Sequence, residues 1–155
     1  MLHDAHFHYS KELIQQFQQN KMQGIMNVDS IEEYALALSL QEKIPNLTIS
    51  VGVHPWKVDT ISYQSLSHYF DSVHIIGEIG LDNVWCETDL DLQREVFQKQ
   101  LAYASKHHKP VILHTKGMEK EIVETIKQYP NTYLVHWYSC EDHLQDYIDL
   151  NCYFT

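Results

Sequence analysis

Positive charge is scarce in this chain. Eleven Lys and Arg face 21 Asp and Glu across 155 residues, a formal net charge of -10 with histidine neutral. Such a surface repels phosphate polyanions, which excludes charge-driven coating of nucleic acid. Any contact with phosphate then needs positive charge concentrated at one place, and bound divalent metals would supply it. Cysteine is sparse as well: Cys86, Cys140 and Cys152, an odd number with no Cys-x-x-Cys spacing. That argues against a disulfide framework and fits free thiols in a reducing cytoplasm. No apolar run approaches a membrane span. No basic segment followed by an apolar stretch opens the chain, as a signal peptide would. No Gly/Ser/Pro-rich linker divides it, so a single domain over residues 1–155 is expected. What is plentiful is histidine, eleven in all.

Short apolar runs alternate with amphipathic segments. Strands are expected at 2–7, 24–28, 47–53, 74–78, 111–114, 133–136 and 152–155. The first helix opens at Ser10, with Leu13, Ile14 and Phe17 on one face. The second has capping-box spacing at Ser30 and Glu33 and turns Ile31, Ala35 and Leu38 inward. A weaker one follows around Leu66, Tyr69 and Phe70. The longest runs from about 89 to 106, with Thr88 or Asp89 as N-cap and Leu92, Val96, Phe97 and Leu101 inward. Met118, Ile122, Val123 and Ile126 form the next stripe. A last helix starts at 139–142 and buries Leu144, Tyr147 and Ile148. This alternation implies a parallel sheet with right-handed crossovers, either an open doubly wound sheet or a (β/α)8 barrel.

The chemistry-bearing side chains choose between the two. Period-two alternation puts Asp4, His6 and His8 on one strand face, where the imidazoles can grip a cation and Asp4 can orient a ring N–H. His54, Glu78, His114 and His136 close the third, fourth, fifth and sixth strands. In a barrel those ends meet at one mouth, where active sites are built, whereas an open sheet spreads them along a line. The constellation therefore favours the barrel. His68, His74, His107, His108 and His143 fall on helices or at strand starts and read as solvated. A carboxylate between two cations about 3.5–4 Å apart is the pattern of a two-metal hydrolase. Glu78, the one carboxylate ending a central strand, is the natural bridge. Imidazoles with carboxylates suit Zn, Mn, Mg, Fe and Ni alike.

Asp4-x-His6-x-His8, Gly52-x-His54-Pro55 and Gly77-Glu78-Ile79-Gly80-Leu81-Asp82, with strand-ending His114 and His136 in the same order, resemble the motifs of the TatD family of metal-dependent deoxyribonucleases. The resemblance covers the whole chain. It implies a TIM-type (β/α)8 barrel, one or two divalent metal ions and hydrolysis of phosphodiesters in DNA. It also implies that His6 and His8 hold the first metal, Glu78 bridges, and His114 and His136 hold the second. His54 would sit over the substrate, with Glu78 and His54 as the catalytic pair. Lys57, Arg94 and Lys116 are candidate phosphate contacts. Three departures stand out. Lys116 occupies a place where the family commonly has arginine, and lysine lacks the bidentate fork. Trp137-Tyr138-Ser139-Cys140 makes a bulkier mouth. About seven strands and six helices are counted, so the domain is expected to be C-terminally truncated, its eighth strand missing and its edges prone to self-association or closure by a partner. Glu87-Thr88-Asp89 mimics a run from that strand, but its position fits a helix cap. A deacylase using the same site, or a truncated non-catalytic metal-binding protein, are the alternative readings.

Overall fold

The computed structural model describes residues 2–20 and 22–155. Seven parallel strands are hydrogen-bonded in sequence order. They are β1 His3–Phe7, β2 Gln23–Val28, β3 Leu47–Val51, β4 Ile75–Asp82, β5 Val111–Lys116, β6 Tyr133–His136 and β7 Tyr153–Phe154. Helices α1 Lys11–Asn20, α2 Ile31–Gln41, α3 Tyr63–Ser67, α4 Leu90–Lys106, α5 Glu119–Ile126 and α6 Leu144–Asp149 lie between them, with 3-10 turns at Pro55–Lys57 and Phe70–Ser72. Neighbouring strands stand about 4.8 Å apart, so β1 and β6 of a flat sheet would be roughly 24 Å apart. Instead the rings of His6 on β1 and His136 on β6 stack with centroids 3.5 Å apart. The sheet is curled into a half-barrel, and the open alternative is excluded. Among the described residues, no helix is long and apolar enough to cross a membrane.

Local chemistry starts the helices where the sequence indicates. Ser10 accepts from Leu13 N–H at 3.2 Å, Ser30 from Glu33 N–H at 3.2 Å, and Asp89 from Leu92 N–H at 2.8 Å. Each satisfies an N–H that the first helical turn leaves free. Two inward faces differ from expectation. On α2, Tyr34 and Ala37 are buried while Ile31, Ala35 and Leu38 are exposed. That helix is apolar on several sides, and the contact of Tyr34 with Tyr69 decides which side turns in. The last helix begins at Leu144, later than the capping pattern implies, because His143 takes a left-handed φ of 65° just before it. Only Tyr147 of its predicted face is fully buried; Leu144 and Ile148 are exposed.

Two bulges shape the strands that carry the site. On β1, Ala5 and His6 oppose Ile25 alone, between the pairs Asp4↔Gly24 and Phe7↔Met26. On β4, Gly77 and Glu78 oppose Ile112 alone, between Ile76↔Val111 and Ile79↔Leu113. A bulge re-aims side chains and breaks strict alternation. The fourth strand also continues past Glu78 to Asp82, and the fifth past His114 to Lys116, so neither residue ends its strand. Gly80 pairs with His114. A Cβ on Gly80 would meet the His114 carbonyl oxygen at 1.9 Å, so only glycine lets these backbones approach. Gly80→Ala should therefore force β4 and β5 apart and destabilise the fold by about 2 kcal/mol or more. A urea unfolding midpoint equal to that of the parent protein would refute this account of the β4–β5 contact.

Candidate metal centre

Glu78 sits at the centre of the curled sheet with 3% of its surface exposed. One carboxylate oxygen, Oε2, lies 2.7 Å from His6 Nε2, 3.4 Å from His8 Nε2 and 3.7 Å from His54 Nε2. The other, Oε1, lies 3.0 Å from His114 Nδ1. Each element delivers its part. The β1 bulge turns His6 inward, and His8 follows just beyond the strand. His54 comes from the loop after β3, where its side chain caps the 3-10 turn begun by Pro55. Burial alone would raise the Glu78 carboxyl. Its hydrogen bonds to His114, His6 and His8 outweigh that and hold it well below the usual carboxylate range.

Asp82 is a second centre that the sequence analysis did not single out. It lies four residues beyond Glu78 on the same strand, hence on the same face across Gly80. Its Oδ2 is 2.8 Å from His114 Nε2 and accepts from the Trp56 indole N–H at 2.7 Å. Its Oδ1 accepts the backbone N–H groups of Val84 and Trp85, each at 2.8 Å. Burial pushes its carboxyl up, but the Trp85 N–H, the Trp56 indole, His114 and the Val84 N–H together bring it below its ordinary value. The available signal was the Glu-x-x-x-Asp spacing within one strand. Two fully buried glutamines on α4 were also not anticipated. Gln93 bonds the Asp82 backbone through both N–H and C=O, and Gln100 does the same for Val53.

Candidate ligand atoms of His6, His8 and Glu78 lie within 4.8 Å of one another, as do those of His54, Glu78 and His114. Donors sharing one ion at bond lengths of about 2.0–2.2 Å stand roughly 3.0–3.5 Å apart. The Glu78 contacts above bracket that spacing, so the donor set fits a divalent cation on either side of the carboxylate. His136 on β6 stands in register with His114 on β5 and lines the same cavity. It is half-buried against His6, and its Nδ1 is 3.0 Å from Thr155 Oγ1. Asp4 bonds the backbone of His6 and not an imidazole ring. Its carboxylate accepts the His6 backbone N–H at 3.1 Å. Lys57 pairs with Asp29 at 3.2 Å. The Lys116 amine lies among Ser139 Oγ and the Trp137 carbonyl. Arg94 lies on α4 in ion pairs with Glu121 and Asp91, away from this cavity. The cavity has a volume of about 410 Å³ and takes in His6, His8, His54, Glu78, His114 and His136, with Lys57 and Lys116 on its wall.

Comparison with known proteins places the fold. The sequence model of the TatD related DNase family matches residues 3–155. The uncharacterized metal-dependent hydrolase YabD of Bacillus subtilis (strain 168) is 26% identical over 142 residues, covering 83% of this chain and 56% of its own length. The uncharacterized metal-dependent hydrolase YjjV of Escherichia coli (strain K12) is 28% identical over 124 residues, covering 74% of this chain and 48% of its own. The human 3'-5' RNA nuclease TATDN2 is 34% identical over 62 residues, 39% of this chain and 8% of that protein. The chain thus spans about half the length of the first two relatives. The crystal structure of Escherichia coli YjjV superposes with a TM-score of 0.81 at 22% identity, covering 99% of this chain and 66% of that one. A TatD family hydrolase from Entamoeba histolytica gives a TM-score of 0.77 at 17% identity, covering 99% of this chain and 64% of that one.

The charges predict how stability follows pH. Burial lowers the His54 imidazole to about 3 and, with His6 nearby, the His136 imidazole to about 4, both from 6.5. Below pH 6.5 the unfolded chain therefore takes up protons that the fold refuses, and stability falls as pH drops; Glu78 adds to this below its ordinary 4.5. The opposite holds for His8, raised by its bond to Glu78. It holds too for His114, where burial lowers the pKa but Glu78 and Asp82 raise it further. Their contribution is complete below pH 6.5 and is lost as pH rises through their raised values. Chelator-treated protein should be most stable near pH 6.5. His54→Gln should flatten the acid side alone. Urea midpoints across pH 4–8 test this, and an unchanged acid slope in the variant would count against it.

Proposed function

The chain belongs to the TatD related DNase family, and from that premise we propose that its single domain is a metal-dependent hydrolase cleaving phosphodiester bonds of DNA. The observation that carries this reading is the convergence of His6, His8, His54 and His114 on the two oxygens of one buried carboxylate. The family name, and a human relative named as an RNA nuclease, support a phosphodiester substrate. When bound, divalent ions supply Lewis-acid polarisation of the phosphoryl group and an acidified water as nucleophile.

The residues divide the work as follows. His6, His8 and Glu78 would hold one ion, and Glu78 with His114 would contribute to holding the other. Asp82 takes the His114 Nε2–H, which leaves Nδ1 as the lone pair turned to the site. His54 differs. The Trp56 backbone N–H donates to its Nδ1 at 3.2 Å, so the neutral ring carries its proton on Nε2, the nitrogen facing Glu78 and His114. A protonated ring nitrogen donates a hydrogen bond and does not ligate. In this reading His54 would hand that N–H to a substrate oxygen, and His136, whose Nδ1 lies against Thr155, would help hold the second ion. Lys57 and Lys116 bring positive charge to phosphate at the mouth of an otherwise acidic chain. Partners in the same reading are DNA and, along β1 and β7, the outer strands of the sheet among the described residues, a second copy or another segment.

Purified protein should hold one or two divalent ions and, with added Mn or Mg, release nucleotides slowly from DNA. Glu78→Gln should reduce metal content on both sides and activity by about a hundredfold. Asp82→Asn should weaken metal binding about tenfold to a hundredfold through His114. His54→Ala should leave metal stoichiometry intact and lower kcat, whereas His136→Ala should lose metal. Elemental analysis beside DNA turnover separates these. The reverse pattern at His54 and His136 would move His54 into the ligand set. Cleavage of an aminoacyl ester with DNA untouched would overturn the substrate.

A further inference from the structure

The chain has three tryptophans, and all three line the mouth of one cavity. They come from three separate loops: Trp56 after β3, Trp85 after β4 and Trp137 after β6. They are 46%, 48% and 61% exposed. Clustered large aromatic rings left half in water mark a binding surface, because a core would have buried them. Each is also held in place. Asp82 fixes Trp56 by its indole N–H and Trp85 by its backbone N–H. Trp137 takes a left-handed φ of 48°, and Thr155 Oγ1 accepts its N–H at 3.2 Å. That backbone conformation is costly for a bulky residue and persists only where its surroundings impose it. Trp56 has spent its one donor on Asp82, so what it shows a ligand is ring.

Lys116 sits among these rings, nearly buried. Its amine is 4.5 Å from the Trp85 ring centroid and 5.1 Å from that of Trp137. The two rings are 5.6 Å apart and tilted by 49°, too close to admit another ring between them. Their exposed faces are what remains free.

We propose that Trp85 and Trp137, with Lys116 between them, form a stacking site for an unpaired nucleobase of the strand whose phosphate lies at Glu78. The proposal rests on the phosphodiester reading above. A ring face beside an ammonium suits a ligand that joins a flat ring to an anion, which is a nucleotide. An aminoacyl ester would bring its own ammonium against Lys116, at a Coulombic cost. A base inside a duplex has both faces covered by its neighbours and has none to offer.

Because every tryptophan lies at this mouth, fluorescence excited selectively in tryptophan reports on the site alone. An adenine dinucleotide monophosphate should quench it and bind about fivefold to a hundredfold more tightly than the same compound with an abasic sugar. Trp85→Ala and Trp137→Ala should each remove a similar factor, and Trp137→Phe should keep most of it. Equal affinity for the abasic compound overturns the proposal without any variant, so a variant that fails to fold does not shield it. Quenching that depends on the base, with no phosphodiester turned over, supports the stacking site and removes the proposed reaction. Turnover of DNA with KM unchanged in the folded tryptophan variants does the reverse.

Discussion

A carboxylate withdrawn from water keeps its charge only if positive or hydrogen-bonding groups replace the solvent it lost. Glu78 is in that position, and the rest of the structure is arranged to meet its demand. Four imidazoles from three other parts of the chain approach its two oxygens. A bulge on its own strand aims it, and a bulge on β1 aims His6 at it. The absence of a side chain at Gly80 lets β5 come near enough for His114 to reach both Glu78 and Asp82. The same burial that makes the charge expensive makes it strong toward a cation, since little water competes for it.

Asp82 ties the chemistry to the rim. One carboxylate sets the His114 tautomer, holds the Trp56 indole and anchors the Trp85 backbone. Trp56 in turn sets the His54 tautomer through its own N–H. The chain Trp56–His54–His114–Asp82 therefore closes on itself. A network with every member satisfied is rigid, so the ligand atoms and the tryptophan faces are positioned together. A substrate meets a mouth whose electrostatics and shape are decided by the same few hydrogen bonds.

Much of this was legible in the residue pattern. Alternating apolar runs and amphipathic stretches identified all seven strands and their parallel order. The caps at Ser10, Ser30 and Asp89 were readable because they are local, needing only a side chain and an N–H three residues on. The histidines at homologous places, with Glu78, pointed to one mouth. Less legible was which side of α2 or α6 turns inward. Helices apolar on more than one side are oriented by what they meet, as Tyr34 meets Tyr69.

The sequence by itself determined the element order, the curled parallel sheet and the group of imidazoles around one carboxylate, because these depend on periodicity and on residue type at strand positions. Only the tertiary structure decided which side chains face each other. Alternation suggested that Asp4 orients a ring N–H, and in the fold it holds the His6 backbone N–H. Order along the chain paired His136 with His114, and the two stand in register on β5 and β6; that its ring stacks on His6 and its Nδ1 turns to Thr155 needed the curled sheet. Asp82 stood in the Gly77–Asp82 run and Trp137 at the mouth, but the sequence did not indicate what Asp82, Trp56 or Trp85 would touch. Their roles come from hydrogen bonds and ring contacts across strands and loops far apart in sequence, and such pairings exist only once the sheet has curled.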